Sequence, residues 1–213
     1  MNTNPNPFKV LPLFLLLLCG STLSANIAHK LNPVWTRMAD LFGEYGSVES
    51  AEFSPDSQFI ATGSKYDNTV RVFRTVDGHL IWTVQLPAEI ERVAWTGDGR
   101  QVTSVSEDRV FRVFNAEDGS TLHEKLHTAP MDSLALSNNG RLMAVGQEHK
   151  NESSKGKGDG TAPVVLYDTR TWEEVLRVDQ RTTANEIAFT PEDSHFIVVG
   201  FHNFKSGILK RVS

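Results

Sequence analysis

Cysteine is almost missing from this chain. Its 213 residues contain one, Cys19, so no internal disulfide can staple the fold. Basic clusters are missing as well. Lys and Arg number 21 against 26 Asp and Glu, and the net charge is −5. Without a basic stripe, neither a nucleic acid nor an anionic membrane is expected as a partner. An apolar run at 10–19 is too short to cross a bilayer, which takes roughly 20 residues. No serine sits in a G-x-S-x-G elbow, and the seven histidines are scattered. No catalytic, cofactor or metal residue is assigned.

What is present is a repeat. Four stretches align on an apolar residue before a turn: Phe53, Trp95, Leu136 and Phe189, which fall 42, 41 and 53 residues apart. A period near 41 with several short strands per unit points to propeller blades. In the first unit the strands are expected at 48–53, 58–63, 69–74 and 79–84. They are rich in β-branched and aromatic residues, and too short for helices. Asp77-Gly78 and Asp118-Gly119 supply the positive φ that the tight turns need. The expected fold class is all-β, a partial β-propeller of about three and a half four-stranded blades. Closed propellers take 4–8 blades, so the chain reads as the N-terminal part of a longer protein.

The motifs FSPD (53–56), the acid before the third strand (Asp67, Asp108) and the strand endings RVFR (71–74), RVFN (112–115) and VLYD (165–168) resemble those of the WD-repeat family. The likeness covers about 43–213 and is degenerate. Phe73, Phe114 and Tyr167 stand where the family has Trp, and of its Gly-His pair only Gly43 and His127 are left. Asp67 and Asp108 are read as structural turn residues. The resemblance implies a scaffold that binds proteins through the face where the blades are linked. There it would place Glu44, Tyr66, Glu89 and His127, with Lys155 and Lys157 from the glycine-rich insertion at 148–162. The alternative it allows is the propeller part of an exported enzyme resembling quinoprotein or amine dehydrogenases.

Residues 123–127, HEKLH, match the H-E-x-x-H zinc pattern. That chemistry needs a helix, which stacks positions i and i+4. The repeat alignment puts 120–126 in a strand, where the same positions stand about 13 Å apart. Residues 1–25 have the layout of an export signal: Lys9, the apolar run, then small residues. An exported chain without structural cysteines suits a bacterial periplasm or cell surface. Leu16-Leu17-Leu18-Cys19 also resembles a lipoprotein box, so a lipid anchor at Cys19 is the alternative. The expected layout is a signal peptide at 1–25, a linker or closing strand at 26–46 and the propeller at 47–213. Isolated, the chain is expected to self-associate. The leading face would show Ala51, Phe53, Ile60 and Val72. The trailing face would show Ile187, Phe189, Ile197 and Val199.

Overall fold

In the computed structural model the described residues are 48–148, 162–179, 183–202 and 206–212. The chain divides into two units, Met1–Pro33 and Val34–Ser213, and the described residues all belong to the second. They contain strands and turns and no helix.

The first sheet comprises β1 (Val48–Phe53), β2 (Phe59–Ser64), β3 (Thr69–Arg74) and β4 (Leu80–Gln85). The second comprises β5 (Ile90–Trp95), β6 (Gln101–Ser106), β7 (Val110–Asn115) and β8 (Thr121–Leu126). The third comprises β9 (Met131–Leu136), β10 (Leu142–Gln147), β11 (Val164–Asp168) and β12 (Glu174–Val178). The fourth has three strands, β13 (Glu186–Phe189), β14 (Phe196–His202) and β15 (Ser206–Val212). Strands pair antiparallel in chain order within every sheet. This is a partial β-propeller of four successive blades.

The same local chemistry builds each blade. A short acceptor closes the first turn: Asp56 Oδ1 accepts from Ser54 Oγ and Gln58 N, and Asp98 Oδ1 accepts from Thr96 Oγ1 and Arg100 N. Asn139 does the same in the third blade with Ser137 Oγ and Arg141 N. The third and fourth strands slip register just before the family aromatic position, between Val72/Phe73, Val113/Phe114 and Leu166/Tyr167. A shift at one repeat position in three blades marks a feature of the unit, since bulges re-aim a side chain and increase twist.

The core lies between blades. One buried cluster joins Val72 and Trp82 of the first blade to Val93, Trp95 and Phe114 of the second. Another joins Val105 and Phe111 to Met143, Tyr167 and Trp172. A third joins Ala144 and Leu166 to Ile187, Phe196 and Val198. Each seam carries polar ties as well. Trp82 Nε1 donates to Ala116 O at 2.8 Å and Trp95 Nε1 to Glu52 O at 3.0 Å. Trp172 Nε1 donates to Gln101 Oε1 at 3.1 Å. The innermost strands β1, β5, β9 and β13 are packed side by side in that order.

The expected outer faces need correction. Phe53 pairs with Ile60, and Ile60 with Phe73. Val72 therefore points the opposite way, into the first seam, where it is fully buried. Ile187 and Phe189 likewise pack on the third blade. Ala51 and Phe53 stay exposed on the leading side, and Val199 on the trailing side.

Candidate functional site: the linked end of the blades

Antiparallel pairing puts two sorts of turn at opposite ends of each sheet. The turn after the second strand and the connection to the next blade share one end. The sequence places its candidate residues there.

Asp67 and Asp108 both lie in the turn before the third strand, and each engages an arginine four residues on. Asp108 Oδ1 accepts from Val110 N at 3.0 Å and from Ser106 Oγ at 2.5 Å. Its two oxygens also receive Arg112 Nη1 and Nη2 at 3.1 and 2.6 Å. Glu124 takes the Nε of the same guanidinium at 2.9 Å. Asp67 repeats the scheme with Thr69 Oγ1 and Arg71. Burial opposes ionisation of both acids, but the hydrogen bonds from arginine and hydroxyl groups, joined at Asp108 by the backbone of Val110, outweigh it. Both carboxyls are held below the usual range. Arg71 and Arg112 were missed as partners, although the D-x-x-x-R spacing stands in both units.

His127 does not belong to an outward face. It is 6% exposed, and its Nε2 lies 2.9 Å from the Tyr167 hydroxyl. Burial first, then Arg177, lowers its pKa to about 4. The imidazole is a neutral core group tied to the tyrosine that stands at the family's Trp position. Within HEKLH, His127 turns inward while Glu124 reaches Arg112, and the segment is strand β8 and the turn after it. Among the described residues no group of three His, Cys, Asp or Glu side chains could hold a metal ion.

Tyr66 and Glu89 do come together. With Lys65, Asn68, Ala88 and Glu107 they line an open depression of about 520 Å³. Tyr66 is 61% exposed there, and Glu89 is exposed. Glu44, Lys155 and Lys157 lie outside the described residues. So do Cys19 and the whole segment read as an export signal.

Behind this depression is a set of carboxylates that sequence reading did not collect. Glu49, Glu91 and Asp132 each stand four residues before Phe53, Trp95 and Leu136, and Asn185 holds that place in the fourth blade. Glu107 and Glu148 follow β6 and β10 where Lys65 follows β2. Lys65 Nζ reaches Glu91 at 2.9 Å and Glu49 at 3.6 Å. Arg92 lies 3.9 Å from Glu49, and Asn185 donates to Asp132 at 2.6 Å. Among the described residues two cations, Lys65 and Arg92, thus face many acids. Glu91, buried to 3% exposure, is pushed up by burial despite Lys65. Glu107 is raised by burial and then by Glu148 and Glu89. Asp132 and Glu148 are raised by burial, Glu148 also by Asp132 and Glu91. The signal was available as an acid at one fixed offset in three successive repeats.

Four-stranded antiparallel blades, a tight turn closed by an acid and seams filled by aromatic residues make this fold WD40-like. Its similarities agree. Residues 51–131 match the model of the anaphase-promoting complex subunit 4 WD40 domain. Eukaryotic translation initiation factor 3 subunit I of Aspergillus terreus is 26% identical over 174 residues, which cover 76% of this chain and 51% of that protein. The same subunit of Scheffersomyces stipitis is 22% identical over 177 residues, 76% and 50% of the two chains. That of Phaeosphaeria nodorum is 34% identical over 73 residues, 34% and 22%. The chain spans about half the length of the curated relatives it matches over most of its own length. These similarities overturn the bacterial periplasmic address: the relatives are subunits of a eukaryotic translation initiation factor.

Proposed function

We propose that this chain is a protein-interaction scaffold without catalytic activity of its own, and that a partner docks where the blades are linked, at Tyr66, Glu89 and Glu107. The observation that carries the reading is the unbalanced charge of the described residues around that depression. Carboxylates raised by burial and by one another sit beside an exposed tyrosine. A cationic segment of a partner would relieve the repulsion, and the aromatic face would take an Arg or Lys at about 0.5–2 kcal/mol. The relatives' names, each a subunit of a translation initiation factor, favour a place within a multi-subunit assembly.

Two of the three groups that the HEKLH pattern favours for chemistry are engaged internally, His127 with Tyr167 and Glu124 with Arg112, while His123 Nε2 is buried without a hydrogen-bond partner. This supports the scaffold over the propeller part of an enzyme. Fluorescence polarisation tests it with the full chain and two peptides, one arginine-rich and one in which glutamine replaces arginine. The arginine-rich peptide should bind more tightly, and Tyr66→Ser with Glu107→Lys should weaken it by about tenfold. Equal binding of both peptides, or no response to the variant, would remove the assignment.

A further inference from the structure

The opposite end of the blades carries a second cavity, of about 580 Å³, between the second and third blades. Its chemistry is reversed. Arg100 and Arg141 enter it from the first turns of those two blades, and Arg170 from the β11–β12 turn. We propose that this groove binds an acidic segment of a protein partner, its carboxylates meeting the guanidinium groups of Arg100, Arg141 and Arg170.

Four observations support this. First, Arg100 and Arg141 are both exposed, and neither guanidinium has an ion pair among the described residues. Arg170 gives Nε and one Nη to Asp168, at 3.3 and 3.0 Å, and its other Nη remains for a ligand.

Second, Asp98, which lines the groove, and Asp193, which borders it, are held by the turns themselves. Asp98 Oδ1 takes Thr96 Oγ1 at 2.7 Å and Arg100 N at 3.1 Å. Asp193 takes the backbone N–H groups of Asn138 and Asn139 at 2.7 and 2.8 Å.

Third, the floor is preorganised and bare. A Cβ built on Gly97 would lie 3.1 Å from Gly140 Cα, so the two turns meet backbone to backbone with no side chain between them. Thr169 Oγ1 donates to Gly140 O at 2.7 Å and Trp172 Nε1 to Gln101 Oε1 at 3.1 Å, which fixes both walls. Groups held in place lose less freedom on binding.

Fourth, the pairing is specific to this seam. Gln58 and Ser194 hold the positions of Arg100 and Arg141 in the first and fourth blades. A single ion would leave most of such a volume empty, whereas several residues of an extended peptide would occupy it. Guanidinium and carboxylate pair through two parallel hydrogen bonds, which favours a carboxylate-bearing ligand.

The test uses the full chain and a labelled glutamate-rich peptide, with its glutamine counterpart as control. We expect the glutamate peptide to bind and the control not to. Arg100→Glu with Arg141→Glu should weaken binding by about tenfold or more, with an unchanged β-sheet circular dichroism spectrum. The single Arg141→Gln should give a smaller loss in the same direction, which keeps the test open should the double variant misfold. Tyr66→Ser, at the other end, should leave this binding unaltered, so failure here and failure of the scaffold reading are separate results. Equal binding of both peptides, or unchanged affinity in the arginine variants, would overturn the proposal. So would an RNA oligonucleotide or a serine-phosphorylated peptide that binds where the glutamate peptide does not.

Discussion

At the scale of single residues, burial decides which charges matter. Arg112 is buried and has Asp108 and Glu124 on its nitrogens, whereas Arg74 and Asp77 pair in water. Removing the charge of Asp108 would strand much of a buried cation, at a cost of about 3 kcal/mol. Asp108→Asn should therefore lower the urea midpoint clearly, while Asp77→Asn should barely move it. Equal effects would contradict the burial argument. His127 gives a second prediction. Its folded pKa of about 4 lies below the value near 6.5 expected when unfolded. The stability due to its neutral ring is complete above that unfolded value and is lost as pH falls from 6.5 towards 4, by at most about 3 kcal/mol. His127→Phe should flatten the fall of the wild-type stability over this interval in parallel urea melts. The raised carboxylates Glu91, Glu107, Asp132 and Glu148 act in the opposite sense, gaining stability as pH falls, but equally in both proteins. Asp67 and Asp108 stand in the turns before β3 and β7, and the repeat shows the spacing of each to its arginine. His127 was misplaced because a loop position says nothing about which way the ring turns, and only contact with Tyr167 decides it.

At the scale of elements, local pattern located the strands almost to the residue. The second and fourth strands of the first blade each begin one residue later than the pattern suggests, at Phe59 and Leu80. Which face a residue takes was less legible. Val72 and Phe53 belong to different strands, and only the pairing register tells whether they share a side. A slip of one residue exchanges the two faces. Turns that touch the next blade carry their own constraint. Gly119 has φ +73°, and a Cβ there would lie 2.8 Å from the Trp82 ring. Gly119→Ala should combine left-handed strain with a clash across the first seam, costing about 2 kcal/mol or more. A thermal melt of this variant matching wild type would show that the seam yields easily. The groove of Arg100 and Arg141 was invisible in sequence, because two arginines 41 positions apart look unrelated until blade packing sets their turns side by side.

At the scale of the molecule, the outer sides differ from the seams. Phe53 is 56% exposed and Val199 39% exposed. Apolar groups left open in this way favour association. The full chain should show a mass above that of a monomer in light scattering, and Phe53→Ser should reduce it. A monomeric wild type would dispose of this expectation. The cellular address was the least legible property. An apolar run near the N-terminus admits several readings, and the relatives are eukaryotic. The tryptophans have one more consequence. Trp82, Trp95 and Trp172 all bind across a boundary between blades, and Trp35 lies outside the described residues. Their indole emission is thus a gauge of blade separation rather than of strand pairing. If neighbouring blades part before their own sheets melt, as repeat architectures allow, the fluorescence of the unlabelled protein will redden while the sheet signal is still intact.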